Sequence, residues 1–299
     1  MSNYLENGKY GKNNLWRYIV TIILSYLVGS AVGVGISMIL DIIFELNKQP
    51  GLSGIINILI IFSIQTIFLA LSIKFIHKKS FISLINTVKT NENSKFSFLK
   101  KIRWKIFLKG CFIWLIYMIV LIGVSMAISP DNYVFNPNYN IYAVFSILPI
   151  LAISLFIQSS FEEYFFRGYL NQGLKLIFKN PLVAILIGSL LFALPHFQNG
   201  GSDIVLIILN VSGTFLMGLI FSIFTFLYNG LEFSMGIHFI NNLSIGILGS
   251  SSGPFSAIPG IFKFVGYDFL TDVLLPVIAL TIFVVLLFIY KKEEIMNFR

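Results

Sequence analysis

The chain has 299 residues, of which 57% are hydrophobic and 11% are charged, and its formal net charge is +8. Its mean hydropathy of +0.86 is too high for a water-soluble domain of this length. The single cysteine, Cys111, excludes an intrachain disulfide, and the alternating pattern of a β-barrel is absent. We therefore predict an integral membrane protein whose spans are helices.

Long apolar stretches predict transmembrane helices, because about 20 apolar residues cross the hydrocarbon core as a helix. The first stretch follows a polar start and is longer than the apolar part of a cleavable signal, so we expect it to remain as an anchor. The eight predicted spans are residues 18–40, 52–75, 108–129, 144–170, 181–198, 204–228, 232–249 and 271–290. The expected fold is an all-α, polytopic transmembrane helix bundle.

Basic residues concentrate in the connection between the second and third spans, where ten lysines and arginines lie within residues 74–109. A short basic connection remains in the cytoplasm, which explains the positive charge without a nucleic-acid partner. Phe81, Leu84, Ile85 and Val88 fall at i, i+3, i+4 and i+7, which suggests either a short helix lying in the membrane interface or a plain amphipathic linker helix. Further basic residues on the same side are Lys9, Lys12, Arg17, Lys291, Lys292 and Arg299. Both termini are therefore predicted to be cytoplasmic. The high content of Asn, Ile and Lys is typical of an AT-rich bacterial genome, so we expect a bacterial plasma membrane.

The stretch "SSFEEYFFRGYL" contains three charged residues in apolar surroundings. Charged groups inside a span are costly, so they usually face the protein interior and serve a function. Glu163 and Arg167 are four residues apart on one helix face, where they can form an ion pair. Glu162 points about 100° away and has no charge partner in its own helix. It is the carboxylate that remains free to take and give a proton.

Two later spans carry further polar residues. "FALPHF" has His196 four residues after Phe192 and next to Pro195, which loosens the helix. "HFINN" has His238 four residues before Asn242, on one helix face. Each cluster alone is also explained by packing, because membrane histidines and asparagines often bond neighbouring helices. Together, the three clusters supply a general base, its partner and oxyanion donors, which a hydrolase needs.

The residues resemble a known family at this point. "EEYFFR" fits the motif E-E-x-x-x-R, "FALPH" fits F-x-x-x-H and "HFINN" fits H-x-x-x-N, in the order found in the CAAX protease and bacteriocin-processing (CPBP, Abi) family of intramembrane proteases. The resemblance covers about residues 144–250. It implies three regions: N-terminal membrane helices with a basic cytoplasmic loop (1–143), a catalytic helical core (144–250), and an outer loop with a C-terminal transmembrane helix (251–299).

The resemblance implies a peptidase that acts on a membrane-associated or lipidated peptide or protein. By similarity, Glu162 and His196 activate a water molecule, while Glu163 and Arg167 hold the pair of glutamates. Phe192 is expected to support the site as the first residue of its motif.

In the same resemblance, His238 and Asn242 stabilise the oxyanion. Members of the family have been described both as metalloproteases and as glutamate-dependent proteases. Zinc, if bound, is expected on Glu162, His196 and His238. Because no H-E-x-x-H motif is present and asparagine is an unusual zinc ligand, we favour a mechanism without a cofactor.

Two other classes of function stay open on the sequence. Rows of glutamate and histidine also build proton relays, so a proton-coupled transporter is an alternative, although no inverted repeat is visible. A non-catalytic membrane scaffold or bacteriocin-immunity protein is the other alternative. Retention of all motif residues favours the enzyme.

The depth of the motifs poses a further question. If the fourth span begins near Tyr142, Glu162 lies near its cytoplasmic end, whereas His196 lies late in the next, oppositely directed span. The depths agree if the fourth helix continues to about Phe178, with Lys175 near its cytoplasmic end. We therefore expect a fourth helix longer than residues 144–170.

Overall fold

The computed structural model describes residues 3–87, 97–137, 139–249, 260–264 and 270–290, and nearly all of them are helical. The α-helices are α1 (Asn3–Glu6), α2 (Leu15–Ile22), α3 (Gly29–Ile43), α4 (Pro50–Phe75), α5 (Ser97–Lys101), α6 (Trp104–Ile128), α7 (Ile141–Glu162), α8 (Asn171–Phe178), α9 (Pro181–Ala193), α10 (Ile204–Leu227), α11 (Glu232–Leu248) and α12 (Leu275–Tyr290). Turns of 3₁₀ or π helix cover Asn7–Lys9, Ile23–Val28, Leu46–Lys48, Phe81–Leu84, Pro130–Asn132, Glu163–Leu170, Leu194–Gly200 and Leu270–Leu274. The all-α polytopic class is confirmed.

The number of spans differs from the prediction. Among the described residues, six helices are long and apolar enough to cross a membrane, rather than eight. They are Leu15–Ile43, Pro50–Phe75, Trp104–Ile128, Val144–Phe178, Pro181–Gly200 and Ile204–Leu227. The seventh predicted span corresponds to α11, which has 17 residues. A helix of that length rises about 25 Å, less than the roughly 30 Å of the hydrocarbon core. The eighth corresponds to the π turn Leu270–Leu274 and α12, of which Leu275–Leu286 is an apolar helix shorter than a full span.

The fourth span is one continuous helix from Val144 to Phe178. It consists of α7, the π-helical segment Glu163–Leu170 and α8. The longer fourth helix is therefore confirmed, and Glu162 lies near its middle. π-Helical turns inside α-helices are rare and are found mostly at functional sites. All residues of this π segment are buried, so the segment lies inside the bundle.

Capping residues fix where α9 and α10 begin. The Asn180 side chain accepts a hydrogen bond from the Leu182 backbone N–H at 2.9 Å, and Pro181 occupies the first turn, where its missing N–H costs nothing. Asp203 Oδ1 accepts from the Val205 N–H at 2.8 Å. These caps set the short turns that reverse the chain before and after the fifth span.

Two glycines bring α6 and α11 into close contact. A Cβ atom on Gly110 would lie 2.4 Å from the carbonyl oxygen of Phe233, and one on Gly236 would lie 2.2 Å from that of Phe107. Both obstacles are backbone atoms, so a larger residue would push the helices apart. This close crossing sets the position of α11, which carries His238 and also packs against α7.

The two ends of the bundle are built differently. At one end, called the basic end below, Leu231 N–H donates to Ile85 O at 2.8 Å and joins the basic connection to the turn between α10 and α11. At the other end, called the far end below, strands β1 (Tyr133–Phe135) and β2 (Phe262–Phe264) pair antiparallel. Of the predicted outer loop, residues 250–259 and 265–269 lie outside the described residues.

The predicted interfacial helix near Phe81 is wrong. The segment Phe81–Leu84 is a 3₁₀ turn, and Ile82 and Leu84 are 9% and 0% exposed. Its apolar residues face the protein core rather than the lipid surface, because the fourth span and the N-terminal segment pack against them. Val88, the last residue of that predicted helix, lies outside the described residues.

Candidate active site

One imidazole joins the two adjacent glutamates. His238 Nδ1 lies 2.9 Å from Glu163 Oε1, and His238 Nε2 lies 3.3 Å from Glu162 Oε2. Arg167 Nη1 lies 3.1 Å from the same Glu163 oxygen, which is the ion pair expected from the spacing. All four residues are buried, with exposures of 0% for Glu163, 1% for Arg167, 4% for His238 and 7% for Glu162. They form one cluster between the fourth span and α11.

The distances in this cluster limit where hydrogen-bonding protons can lie. An ionised carboxylate only accepts hydrogen bonds, so His238 Nδ1 carries the proton that faces Glu163. His238 Nε2 and Glu162 Oε2 would then be two acceptors in contact unless one proton lies between them. Charge leads to the same number, because Arg167 offsets only one of two ionised glutamates and a buried net charge is costly. The cluster is therefore suited to sharing one exchangeable proton between Glu162 and His238.

Two aromatic rings hold the arginine. The Arg167 guanidinium carbon lies 3.9 Å from the centre of the Phe192 ring and 5.2 Å from that of Phe221. Such cation–π contacts are stronger when water is excluded, as in this buried cluster. The Phe192 ring also lies 5.0 Å from the His196 ring and 5.8 Å from the His238 ring. Phe192 thus contacts residues of all three motifs.

His196 borders the cluster from the fifth span. As Pro195 suggested, α9 ends at Ala193 and the chain continues as a 3₁₀ helix over Leu194–Gly200. His196 Nδ1 lies 2.9 Å from the carbonyl oxygen of Phe192. A carbonyl only accepts, so Nδ1 carries the proton and the neutral ring has its lone pair on Nε2. The ring is thus held in the tautomer of a potential base.

Asn242 is held by its neighbour on α11. Asn241 Nδ2 donates to Asn242 Oδ1 at 3.3 Å, and Trp114 Nε1 donates to Asn241 Oδ1 at 3.3 Å. Because its oxygen is the acceptor in this chain of bonds, the Asn242 amide group keeps its N–H donors for another partner. An oxyanion is a partner of that kind.

Two cavities meet at the motif residues. A smaller cavity of about 220 Å³ is bordered by Glu162 and His196. A larger cavity of about 640 Å³ is bordered by His196, His238 and Asn242. Both share Gln158, Phe192, His196 and Asn199 in their walls. The structure thus brings Glu162, Glu163, Arg167 and His238 into contact, while His196 and Asn242 border the adjoining space.

Sequence reasoning missed three polar residues of the site. Gln158 Nε2 lies 3.4 Å from Glu162 Oε1, Asn199 borders both cavities, and Asn241 orients Asn242. Gln158 is four residues before Glu162, so the same helix spacing that revealed the ion pair could have revealed it. Asn199 and Asn241 had no comparable signal, because their roles depend on contacts between spans.

The three predicted zinc ligands are already engaged in contacts with other protein groups. Among the residues that the structure describes, no group of three or more His, Cys, Asp or Glu side chains is arranged to hold a metal ion. Both ring nitrogens of His238 face carboxylates, and Nδ1 of His196 faces a backbone carbonyl. A zinc ion on Glu162, His196 and His238 would require these contacts to be remade.

Comparison with known proteins agrees with the motifs. Residues 144–244 match the family described as type II CAAX prenyl endopeptidase Rce1-like. The chain is also 26% identical over 268 residues to the uncharacterized protein YyaK of Bacillus subtilis (strain 168), covering 84% of each chain. No solved structure matches the chain.

The matched region contains every residue of the three motifs, from Glu162 to Asn242. It also contains the buried cluster and the residues that the walls of the two cavities share. The family predicted from the motifs is therefore confirmed: this integral membrane protein carries, at residues 144–244, an Rce1-like domain of the type II CAAX prenyl endopeptidase family.

Proposed function

We propose that the protein is an intramembrane endopeptidase that cleaves membrane-associated or lipidated peptides or proteins through a water molecule activated by Glu162. The Rce1-like family supports a CAAX-type protease. The observation that carries the proposal is the contact of one imidazole, His238, with two buried carboxylates. A buried cluster that shares one proton can both take a proton from water and return it to a leaving group.

In the first step, Glu162 takes a proton from a water molecule in the smaller cavity, and the resulting hydroxide attacks the scissile carbonyl carbon. A C–O bond forms, and the carbonyl π electrons move to its oxygen. His196 borders the same cavity, and its Nε2 accepts the second hydrogen of the water, which directs the water's lone pair toward the carbonyl.

The oxyanion is stabilised by donors on α11. Asn242 contributes its amide N–H, and His238 contributes Nε2–H when the imidazole holds the shared proton. In the second step the C–N bond breaks as the carbonyl re-forms. The departing amine takes the proton from Glu162, which restores the starting carboxylate.

Glu163 and Arg167 act as positioning residues. Glu163 accepts from His238 Nδ1 and so orients the imidazole, and Arg167 holds the Glu163 carboxylate in place. None of these steps needs a metal or another cofactor, and the metal-free mechanism is part of the proposal.

The test compares purified wild type with Glu162→Gln on a library of membrane-anchored peptides, with and without a strong chelator. The variant keeps the shape of the side chain but removes the base, so we expect cleavage to fall by at least about 10²-fold. The matched control is Glu45→Gln, because Glu45 is an exposed glutamate paired with Lys48. We expect it to retain wild-type cleavage, and the chelator to have no effect.

Other results would contradict parts of the proposal. Cleavage that survives Glu162→Gln would remove Glu162 as the base. Cleavage that the chelator abolishes would require the metal mechanism. Absence of cleavage by the wild type over the whole library, together with an unchanged cellular phenotype in Glu162→Gln, would favour a non-catalytic scaffold.

A further inference from the structure

We propose that the cavities at His196 open toward the far end of the bundle and are closed toward the basic end, so that peptides reach the site from the extracytoplasmic face. The statement about peptides rests on the proposed protease function. The statement about the side on which the cavities open rests on the fold alone. Four observations carry it.

First, the N-terminal segment covers the basic end. Tyr4 and Asn7 are 0% and 6% exposed, although they lie in a polar stretch near the chain start. The Tyr4 hydroxyl donates to the Leu84 carbonyl, and Asn7 Nδ2 donates to the carbonyls of Ser83 and Asn86 at 3.0 Å each. These bonds join the segment to the 3₁₀ turn Phe81–Leu84, and the segment covers the core beneath it.

The same turn is tied to the fourth span. Gln172 Nε2 donates to the Ser83 carbonyl at 2.9 Å, and Gln172 is fully buried. Lys175 forms an ion pair with Glu6. The basic-end part of the catalytic helix is therefore enclosed by the N-terminal segment and the turn together.

Second, a buried ion pair closes the adjoining space under the turn between α10 and α11. Glu232 is 0% exposed, and its Oε1 accepts from Arg103 Nε at 3.0 Å and from the side chain of Asn86. Arg103 Nη1 also donates to the carbonyl of Tyr228 at 2.8 Å. A peptide entering here would have to break bonds to a buried carboxylate, which is costly.

Third, the cavity walls lie toward the far end. The fifth span begins at the basic end at Pro181, and His196 and Asn199 lie at its opposite end, before the turn at 201–203. Leu206 and Asn210, in the first turns of α10, continue the same wall. Phe197, between the two cavity residues of this segment, is 52% exposed. In the wall of the larger cavity, Ser212, Gly213 and Leu216 in the middle of α10 are also exposed. Among the described residues, the exposed surface near the cavities therefore extends from the far end to the middle of the bundle and does not reach the basic end.

Fourth, the charges of the two ends assign them to sides of the membrane. Of the 16 basic residues that the structure describes, only Lys48 and Lys263 belong to connections at the far end. The same far-end connections contain Glu45, Asp131 and Asp203. By the positive-inside rule, the basic end is cytoplasmic and the far end is extracytoplasmic.

The larger cavity also limits what can enter it. Its walls contain no Asp, Glu, Lys or Arg among the described residues, and its polar groups are mainly carboxamides and hydroxyls. Charged side chains would lose their hydration there without a partner, whereas amide groups can pair with a peptide backbone. The chemical class expected is an extended, uncharged, largely apolar stretch of peptide.

The test measures on which side the cavity is accessible, by cysteine labelling. In a Cys111→Ala background, single cysteines are introduced by Asn199→Cys in the cavity wall and by Phe197→Cys beside it. Lys12→Cys, at an exposed position of the basic end, is the matched control. A membrane-impermeant maleimide is applied to intact cells of a host with one membrane and to inside-out vesicles. A second cavity-side variant protects the test against misfolding of the first.

We expect Asn199→Cys and Phe197→Cys to be labelled in intact cells, and Lys12→Cys to be labelled only in inside-out vesicles. Labelling of Asn199→Cys only in inside-out vesicles would overturn the inference. So would labelling of Asn199→Cys only by a membrane-permeant maleimide, because the cavity would then open only to lipid. Labelling of Lys12→Cys in intact cells would reverse the assigned sides. Since labelling needs no hydrolysis, failure of the protease proposal would leave these results unchanged.

Discussion

Glu163 and Glu232 are both fully buried glutamates paired with an arginine, yet their carboxylates are satisfied differently. Glu232 accepts from Arg103 Nε at 3.0 Å, from the Arg103 backbone N–H at 3.2 Å and from Asn86. In the cluster of Glu162 and Glu163, within the described part of the chain, Glu163 Oε2 has no hydrogen-bond partner, and Glu162 Oε2 has only the longer 3.3 Å contact with His238 Nε2. The Glu232 carboxylate is saturated with hydrogen bonds, whereas the cluster of Glu162 and Glu163 can still accept further hydrogen bonds.

This difference separates a structural ion pair from a reactive one. A buried ion pair alone is weak grounds for function, because its geometry can serve folding only. Around Glu163 there is a second carboxylate, an imidazole and a cavity, and the positive charge of Arg167 offsets only half of the acid. Excess buried acid beside open space is the feature that favours chemistry. The predictions below test this distinction.

The largest effect is expected from Arg167→Met, which keeps an apolar stem between the two phenylalanine rings but removes the charge. Breaking a buried pair typically costs about 3–5 kcal/mol, so we expect a clear loss of thermal stability in detergent. Cleavage should also fall by at least about 10²-fold, because Glu163 would lose the cation that holds it and the His238 ring would lose its fixed orientation beside Glu162. Melting curves and peptide cleavage measure the two effects.

Its control is Arg167→Lys, which restores the charge without the planar group that stacks on Phe192. We expect it to recover stability only in part and to recover part of the cleavage. A variant Arg167→Met that keeps wild-type cleavage would show that the two regions do not differ in the way proposed.

The second prediction concerns the saturated pair. Arg103→Met should cost about 3 kcal/mol, because it leaves Glu232 buried and uncompensated. The rate constant of cleavage per folded molecule should stay at the wild-type value, since this pair does not border the cavities. Adding Glu232→Gln in the double variant removes the uncompensated charge and should restore part of the stability. A loss of kcat in folded Arg103→Met would contradict the distinction.

The third prediction concerns His77, a buried histidine that does not border the cavities. His77 is 0% exposed and saturated: Nδ1 donates to the Lys12 carbonyl at 2.9 Å, and Nε2 accepts from the Tyr169 hydroxyl at 2.9 Å. Burial, with Lys79 and Arg17 nearby, lowers the pKa of His77 from 6.5 to about 4. Between these values the unfolded chain binds more protons, so stability falls as pH drops from 6.5 to about 4 and is fully present above 6.5.

The size of this effect is roughly 2–3 kcal/mol, from the shift in pKa. It is measured as the difference in melting temperature between neutral and acidic pH. His77→Gln is the control, because the carboxylates of the chain titrate equally in the variant and in the wild type. A wild type whose acid destabilisation is no larger than that of the variant would show that His77 is not held neutral by its contacts.

Local spacing predicted what lies within one helix. The pair of Glu163 and Arg167 and the extension of the fourth helix to Phe178 both followed from residues less than five turns apart. The family and the helical class followed from motifs and composition, which do not depend on the packing of one span against another.

Contacts between spans could not be predicted in the same way. The bond between His238 and Glu163 joins residues 75 positions apart, and the burial of Tyr4 depends on a turn 80 positions away. Among the described residues six spans are found rather than the expected eight, because apolar composition does not fix where a helix ends: α11 has only 17 residues. The catalytic roles of Glu162, His196, His238 and Asn242 stay predictions until variants are assayed.

The smallest effect is expected from Gln158→Leu, at the junction of the two cavities. Gln158 Nε2 lies 3.4 Å from Glu162 Oε1, and its own oxygen is buried without a hydrogen-bond partner among the described residues. Leucine removes one weak bond to the proposed base, worth about 1 kcal/mol, so kcat should fall roughly fivefold while KM changes little. Stability should hold or rise, because an unsatisfied buried oxygen is removed. Gln172→Leu, at the basic end, removes the 2.9 Å bond to the Ser83 carbonyl and should lower stability by up to about 1 kcal/mol at constant kcat, although it also removes an oxygen that has no partner among the described residues. If both variants lowered only stability, Gln158 would belong with the structural residues, and the boundary of the reactive region would stop at Glu162.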